Sequence, residues 1–281
     1  MTAEPRFIFK KTVETSMRQT VCDYLAAHTG LSKGKIKDAM NKGAVWLSKK
    51  SGKRRRLRRV TASPGKGDSV ELHYDPALLA VKPPLARLVD DRGRYSVWFK
   101  PAGLMAQGTD YGDHCALLRQ VELHFRPNRP VFLVHRLDRE AAGLMLIAHD
   151  RQAAAQLSSQ FQGDRIRKHY RARVRGAMEK RVGEIDLPLD GKRAMTCYEV
   201  VDYDTGADVT TLDITIETGR LHQIRRHFDM IGHPLLGDSK YGTGNKNSEG
   251  LQLIASGLRF RCPFSGREMD YSLNESFSGL L

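Results

Sequence analysis

A run of six residues with five polar side chains separates two short apolar segments near the middle of the chain. Residues 131–134 and 144–148 are apolar and short, which predicts two buried β-strands. Connections between such strands are usually built from Gly, Asn or Ser, but residues 135–140 read His-Arg-Leu-Asp-Arg-Glu. This segment is therefore either a solvated surface loop or a loop that holds a carboxylate, Asp138, at the mouth of a cleft.

A second stretch, RIRKHYRARVRG at residues 165–176, alternates apolar and polar positions. A period of two residues predicts a strand with one buried and one exposed face. Tyr170 falls on the buried face with Ile166, whereas His169 and Arg171 fall on the cationic face. A tyrosine on a buried strand face is usually a packing residue, so this stretch alone indicates no particular chemistry.

A third stretch, residues 214–242, predicts the end of a strand, a turn and a helix that begins near Leu221 and ends at Gly232. Arg225 lies on the edge of the apolar stripe of this helix, where its guanidinium would be partly desolvated. An arginine in such a position is expected to pair with a carboxylate. A phosphate contact or an interdomain ion pair is the alternative. The predicted apolar stripe consists of Leu221, Ile224, Phe228 and Ile231.

The positive charge of the chain is concentrated near its N-terminus. The 281 residues carry a formal net charge of +14, and residues 31–60 hold twelve Lys/Arg against a single acid, Asp38, a net +11. Such a window predicts a polyanionic partner, and nucleic acid is favoured over a membrane surface because no amphipathic apolar face accompanies the charges. The residues expected to bind it are Lys33, Lys35, Lys37, Lys53, Arg54, Arg55, Arg56, Arg58 and Arg59.

The chain is predicted to contain two domains joined by a linker. In the small domain, residues 1–75, helical spacings around Val13, Val21 and Leu25 and around Ile36 and Met40 predict two short helices. The segments AVWL and KGDSVELHY predict strands, and KKSGKRRRLRR between them is expected to be an exposed, phosphate-seeking loop or hairpin. Prolines in residues 76–92 predict the linker, and residues 93–281 form the larger domain.

Several classes of protein are disfavoured. No run of eighteen apolar residues is present, so no membrane-spanning helix is expected. The first residues lack the apolar stretch of a signal peptide, and the four cysteines lie far apart without metal-type spacing. These features predict a cytoplasmic protein without a structural metal site.

Taken together, the three stretches resemble the RluA-type pseudouridine synthases, enzymes that isomerise selected uridines in RNA. HRLDREAAGLMLIA is similar to the family element HRLD…xxSGLLLxA, and RKHYRARVRG is similar to K-x-Y-x-A-x-V-x-G. GRLHQIRRHFDMIGHPLLGDSKYG is similar almost throughout to GRTHQIRVHLxxIGHPIxGDxxYG. LQLIASGLRFRCPFSG resembles the final family element. The resemblance covers roughly residues 90 to 265.

This resemblance implies a role for four residues. Asp138 corresponds to the essential catalytic carboxylate, and Arg225 corresponds to the arginine that pairs with it. Tyr170 is expected to line the pocket against the uracil ring, and Arg136 to fill the gap left by a flipped nucleotide. The chain departs from the family pattern at Ala141-Ala142, where Thr-Ser is common, and at Leu221, where Thr is common.

The basic segment, residues 31–60, overlaps a second family resemblance. GLSKGKIKDAMNKGAVWLSKK is similar to a small RNA-binding domain first described in a ribosomal protein of the small subunit. The two resemblances together imply an α+β protein with a pseudouridine synthase fold, whose central, largely antiparallel mixed sheet is flanked by helices and loops. A small α+β RNA-binding domain is expected to precede it. A basic two-helix module with another role is the alternative for that domain.

The implied reaction breaks the nitrogen–sugar bond of a uridine, turns the base over and rejoins it through carbon. It oxidises nothing and consumes no water, so no cofactor or metal is expected. A carboxylate can stabilise the developing cation, add covalently or remove a proton, and an adjacent arginine favours its ionised form. The uridine must first be flipped out of the RNA, at a cost of a few kcal/mol.

The alternatives are a non-catalytic RNA-binding or ribosome-assembly protein on the same scaffold, and a nuclease or glycosidase. The first has no reason to keep Asp138, Tyr170 and Arg225 together. The second needs another carboxylate or a metal cluster, for which Glu140 is poorly placed. We therefore expect a monomeric RNA pseudouridine synthase that acts on rRNA or tRNA, with rRNA favoured because family members with an extra domain often act on the large subunit.

Overall fold

The computed structural model describes residues 4–14, 19–50 and 52–273. The chain forms two compact units. The first unit contains the residues up to Pro83 together with Gln107–Leu123, and the second contains Pro84–Ala106 together with the residues from His124 onward. The chain therefore crosses between the two units three times.

The first unit is a small α+β structure with a four-stranded antiparallel sheet in the order β1-β4-β2-β3. Two consecutive helices, α1 and α2, contribute Leu25, Ile36 and Met40 to the hydrophobic core, where they join Leu72 of β4. Its elements are β1 (Phe7–Thr12), α1 (Val21–Thr29), α2 (Lys33–Asn41), β2 (Val45–Ser48), β3 (Arg55–Arg56), β4 (Ser69–Tyr74), α3 (Pro76–Ala80) and α4 (Leu117–His124), whose final residue belongs to the second unit.

Local sequence signals explain where the helices of the first unit begin. The hydroxyl of Thr20 accepts the N–H of Asp23 at the start of α1, and Ser32 caps α2 in the same way. Gly30 ends α1 with φ of 71°. The predicted helical position of Val13 is wrong, because this residue follows β1 in extended chain and donates its N–H to the carbonyl of Asp68 at 2.8 Å.

The second unit is built on a ten-stranded sheet in the order β10-β11-β12-β9-β13-β8-β6-β5, with β14 beside β13 and β7 beside β8. The β13–β8 pair is parallel and the other pairs are antiparallel, as expected for a largely antiparallel mixed sheet. Its elements are β5 (Arg87–Asp91), β6 (Tyr95–Lys100), β7 (Phe132–Leu133), β8 (Ala142–Ala148), α5 (Arg151–Gln162), β9 (Arg167–Arg175), β10 (Val182–Asp186), β11 (Met195–Asp204), β12 (Val209–Ile216), α6 (Gln223–Met230), β13 (Leu253–Arg261) and β14 (Glu268–Ser272).

Two hydrophobic clusters hold helices against this sheet. Leu157 of α5 joins Leu146 of β8 in one cluster, and Phe228 of α6 joins Ile214 of β12 in the other. The carboxylate of Asp150 accepts the N–H of Ala153 at 2.8 Å and caps α5. The loop that leads into β8 and the first residues of β9 and α6 line one cleft.

The segment predicted to be a linker differs from that expectation. Residues 76–80 form α3 with Pro76 at the first helical turn, where a proline is tolerated because its missing N–H would lie free anyway. Residues 87–91 form β5, which pairs with β6. The described residues also contain no helix with both the length and the apolar character that a bilayer crossing requires.

Gly143 marks the point where β8 begins beside β13. Its φ of 127° is rarely adopted by other residues, and a Cβ at this position would collide with the backbone of Ala255. Ala255 is the parallel partner of Gly143 in the sheet. The close approach of the two strands therefore requires glycine at the end of the loop that carries Asp138.

We expect Gly143→Ala to lower the free energy of unfolding by about 3 kcal/mol or more, because strain and a backbone collision add. Gly191→Ala is the matched control, since Gly191 also has positive φ (71°) but open space around it. The control should cost about 1 kcal/mol. Chemical denaturation of both variants measures the difference, and equal losses would contradict the packing argument.

Candidate active site and basic segment

The loop between β7 and β8 is anchored by His135. Its Nε2 accepts the N–H of Leu146 at 2.9 Å, and its ring stacks on Phe161 with centroids 4.1 Å apart. Burial lowers the pKa of His135 to about 3. The imidazole is therefore neutral at physiological pH and serves as a hydrogen-bond acceptor that fixes the first residue of the loop.

Lys100, at the end of β6, holds the other side of the loop. Its fully buried ammonium donates hydrogen bonds to the carbonyl oxygens of Ala141 at 2.6 Å and Leu104 at 2.8 Å. Longer contacts reach the carbonyls of Pro101 and Arg139. Burial lowers the pKa of Lys100 to about 8, against the opposing effect of the Asp138 and Glu140 charges. The lysine thus ties the residues that flank Glu140 to the turn after β6.

Asp138 lies in direct contact with Arg225, as the sequence predicted. The Nη1 of Arg225 donates to Oδ2 of Asp138 at 3.1 Å. The remaining face of the guanidinium is bidentate on Asp238, with Nε and Nη2 at 2.6 and 2.7 Å from its carboxylate oxygens. The side chain of Arg225 is 3% exposed, that of Asp238 1%, and that of Asp138 19%. Only Asp138 can therefore meet a ligand.

Asp238 was missed by the sequence analysis, although it stands in the quoted GDSKYG segment. Its Oδ1 also accepts the backbone N–H groups of Lys240 and Tyr241, which fixes the carboxylate in a turn. Burial alone would raise the pKa of Asp238, but these hydrogen bonds and Arg225 hold it below its ordinary value. The sequence offered one indication: a buried arginine such as Arg225 requires a buried carboxylate as its partner.

The guanidinium of Arg225 stays charged in this setting. Burial by itself would lower its pKa, but hydrogen bonds and charges from Asp238 and Asp138 raise the pKa above its ordinary value. The ring of Tyr241 lies 5.3 Å from the guanidinium carbon and covers part of it. Arg225 therefore places a permanent positive charge next to the carboxylate of Asp138.

A cleft of about 620 Å³ opens above this ion pair. Tyr170 and Arg136 line it with Asp138, so the structure brings together all four residues singled out in the catalytic domain. Tyr170 is half-buried, and burial together with the Asp138 charge raises its phenol pKa above the ordinary value. Arg136 is exposed and forms no hydrogen bond or ion pair with the described residues.

His222 forms the edge of the cleft where α6 begins. It adopts a left-handed backbone (φ 52°), which is uncommon for a residue other than glycine, and its side chain does not cap the helix. Its Nδ1 lies 2.9 Å from the hydroxyl of Tyr241, and its Nε2 lies 3.7 Å from Oδ1 of Asp138. Leu221 was predicted to pack inward but is 58% exposed, because it lies in the turn before the helix.

Several arginines of the predicted basic loop of the first unit form ion pairs with acidic residues. Arg54 pairs with Glu71 and Asp110, both at 2.8 Å. Arg56 lies 3.1 Å from Asp113, and Arg58 also pairs with Asp113. The guanidinium groups of Arg54 and Arg56 stack on the ring of Trp46 at 4.0 and 4.2 Å. This result corrects the expectation of a wholly exposed, phosphate-seeking loop.

Other basic residues of the same loop keep their charge unpaired by any described acid. Lys53, Arg55 and Arg59 are exposed, and the side-chain contact of Arg59 is with the hydroxyl of Thr61. In α2, Lys37 is likewise exposed without an acidic partner among the described residues. Lys33 and Lys35 form surface ion pairs with Asp23 and Glu4, which are weak in water.

Comparison with known proteins identifies the class of this site. A family model described as RNA pseudouridylate synthase matches residues 94–230. An uncharacterized RNA pseudouridine synthase of Aquifex aeolicus is 32% identical over 89% of this chain and 87% of the relative. The dual-specificity RNA pseudouridine synthase RluA of Vibrio parahaemolyticus is 35% identical over 59% of this chain and 74% of the relative. The ribosomal large subunit pseudouridine synthase D of Nitrosomonas europaea is 37% identical over 51% of this chain and 46% of the relative.

A solved structure has the same fold. The solved structure of human RNA pseudouridylate synthase domain containing 1 superposes with a TM-score of 0.59 at 21% identity, covering 70% of this chain and 87% of that one. The expected pseudouridine synthase fold is thus confirmed. The chain belongs to the RluA-type RNA pseudouridine synthases, so it is an isomerase that acts on RNA.

The neutral state of His135 predicts a pH dependence of stability. The unfolded chain binds a proton on this residue near pH 6.5, whereas the folded protein does so only near pH 3. Between these values the unfolded state holds more protons, so this residue's contribution falls as the pH falls. His135→Gln keeps an acceptor for Leu146 but does not titrate.

We therefore expect the wild type to lose stability faster than His135→Gln between pH 6 and pH 4, by up to about 1.4 kcal/mol per pH unit. Urea denaturation at several pH values measures the two slopes. Parallel curves for the two proteins would contradict the assignment of a neutral imidazole to the folded protein.

Proposed function

We propose that this enzyme converts selected uridines of structured RNA to pseudouridine, with Asp138 as the essential catalytic carboxylate. The observation that carries the proposal is the 3.1 Å contact between Asp138 and Arg225, whose other face is occupied by Asp238. The guanidinium donates to Oδ2 of Asp138 and fixes the direction of the carboxylate. Arg225 acts as a positioning residue, and Asp138 alone of the two carboxylates faces the cleft.

The geometry suits chemistry at the sugar carbon. An ionised carboxylate next to the ribose can stabilise the cation that forms when the nitrogen–carbon bond breaks, add to that carbon, or remove a proton. In each of these routes the product has the same atoms as uridine. The reaction therefore consumes neither an oxidant nor water. The low exposure of Asp138 strengthens its interaction with a bound substrate because little water screens the charge.

A flipped nucleotide would find its partners in the same cleft. The cleft has a volume of about 620 Å³, which lies within the range of binding sites for small ligands. Tyr170 offers a flat surface on which the extruded base can stack. Arg136, free of other partners among the described residues, can enter the space that the base leaves in the RNA and offset part of the unstacking cost.

We propose rRNA as the favoured substrate and tRNA as the alternative, since one relative is named for the ribosomal large subunit and another for dual specificity. The enzyme acts as a monomer in the cytoplasm, where its described cysteines remain thiols. Mapping of pseudouridines in RNA from cells with and without the gene identifies the modified position. A map without any lost site in rRNA or tRNA would contradict the substrate assignment.

Asp138→Asn should lower the rate of pseudouridine formation by at least about 10²-fold, because the charge at the sugar is lost while the shape is kept. RNA binding should persist, since this carboxylate contacts no phosphate. Glu140→Gln is the matched control, two residues away and 3.7 Å from Arg225 but 45% exposed. Single-turnover assays on the mapped transcript test both, and turnover by Asp138→Asn at the rate of the control would refute the role.

The first unit is proposed to bind RNA through its basic residues. The proposed contacts are Lys33, Lys35, Lys37, Lys53, Arg54, Arg55, Arg56, Arg58 and Arg59. Unpaired, exposed cations exchange counterions for phosphates without breaking an ion pair, so they contribute most to the salt dependence of binding. Arg54, Arg56 and Arg58 must first leave their acids, and we assign them a larger role in holding the unit together.

Two triple variants with the same charge change test this division. Replacing Lys53, Arg55 and Arg59 by Gln should reduce the slope of log affinity against log salt by up to about 2 to 3 and leave stability unchanged. Replacing Arg54, Arg56 and Arg58 by Gln should reduce the slope less and lower the stability of the unit. Titrations of the mapped transcript at several salt concentrations give the slopes, and equal slopes for the two variants would contradict the division.

A further inference from the structure

The isomerisation needs a proton carrier as well as a carboxylate. When the base rejoins the sugar through C5, that carbon still bears its hydrogen, and N1 has lost its bond to the sugar. The product is complete only when the proton leaves C5 and a proton is added to N1. A group that lines the cleft beside Asp138 can accept the proton from C5 and deliver one to N1, so that the overall proton count is unchanged.

Most titratable groups of the described cleft lining are poor carriers. The Nε2 of His135 is already engaged by Leu146, and burial lowers its pKa to about 3. Burial raises the pKa of Tyr170 above its ordinary value, which leaves the phenol protonated. The ammonium of Lys168 donates toward the carbonyls of Glu217 and Thr218 at 3.5 and 3.4 Å, so it presents protons there and no lone pair.

The carboxylates of the cleft do not fill this role either. In this proposal Asp138 acts at the sugar carbon, and its Oδ2 is held by Arg225. Asp164 lies exposed at the rim of the cleft. An imidazole is the side chain best matched to proton transfer near neutral pH.

His222 has the position and the partners that a proton carrier needs. Its Nε2 lies on the cleft side, 3.7 Å from Oδ1 of Asp138, while its Nδ1 lies 2.9 Å from the hydroxyl of Tyr241. A hydroxyl can donate to Nδ1 or accept from it, so the ring can change tautomer without losing this partner. The side chain is only 17% exposed. Its left-handed backbone directs the imidazole to this place and away from the capping position of α6.

We propose that His222 is a second catalytic residue, which accepts the proton from C5 of the rejoined base and returns it to N1. This inference rests on the proposed function. The C5–H bond breaks, its electron pair restores the ring double bond, and negative charge moves to N1. The proton forms the Nε2–H bond of an imidazolium with Nδ1–H donating to Tyr241. Transfer from the imidazolium to N1 then regenerates neutral His222, so atoms and charge balance.

A substrate without a hydrogen at C5 isolates this step. In 5-fluorouridine the nitrogen–sugar bond can break and the carbon–carbon bond can form, but no proton leaves C5. His222→Gln should therefore slow the conversion of uridine by about 10²-fold or more and leave the consumption of 5-fluorouridine within about twofold of the wild type. The probes are rRNA and tRNA transcripts of the source organism made with either nucleoside, with enzyme in excess for a single turnover.

The ratio of wild-type to variant rate is compared within each substrate. Equal slowing of uridine and 5-fluorouridine would overturn the proposal, because it would mean that His222 only shapes the cleft. An unchanged rate on uridine would overturn it as well. A wild-type enzyme that consumes neither nucleoside in any transcript would remove the proposed function itself, an outcome clearly different from loss in the variant alone.

His169→Gln is the matched control. This histidine stands on β9 next to Tyr170, but its side chain is on the exposed strand face and its Nδ1 contacts Thr215 at 3.2 Å. Both rates should equal those of the wild type in this variant. A uridine-selective loss in His169→Gln of the size predicted for His222→Gln would show that any histidine substitution near the strand has the effect, and would overturn the assignment.

Discussion

The buried guanidinium of Arg225 shares its hydrogen bonds between two carboxylates, and the active site is arranged around this sharing. Asp238 satisfies two of the nitrogens in the interior, where an unpaired charge would cost several kcal/mol. The third nitrogen reaches Asp138 at the floor of the cleft. The turn that carries Asp238, helix α6 and the loop between β7 and β8 must therefore meet within hydrogen-bonding distance. Displacement of any one of them leaves a charge uncompensated.

The parts of the site that local patterns describe were predictable. The alternation in β9 places Tyr170 on the inner face, and the helical spacing after residue 221 brings Arg225 to the edge of a buried stripe. The helical spacing indicates only that Arg225 needs a carboxylate, and the choice of Asp138 as its partner came from the family resemblance. Leu221 was misplaced because the same spacing extends one turn beyond the start of the helix, and periodicity does not show where a helix begins.

The groups that were missed act through tertiary contacts alone. Lys100 ends a strand that is buried throughout, and its four carbonyl partners come from two separate turns. No motif of fixed spacing connects it with residues 139–141. The same holds for Asp110 and Asp113, which follow the arginines of the basic segment by more than fifty positions. Charge counting along the chain treats such arginines as free because it has no access to acids brought in from elsewhere.

The first unit depends on residues that are encoded inside the catalytic part of the gene. Asp110 and Asp113, which pair with arginines of the first unit, lie in residues 107–123. The chain reaches these residues only after it has passed through part of the second unit and come back to the first. For this reason, a single recombination event could not add or delete the first unit as one continuous stretch of the gene. A descendant lacking residues 4–83 would carry two orphaned aspartates in the interrupting segment. Inheritance of the two units is thereby coupled, and relatives that lack the domain are expected to differ at residues 107–123 as well.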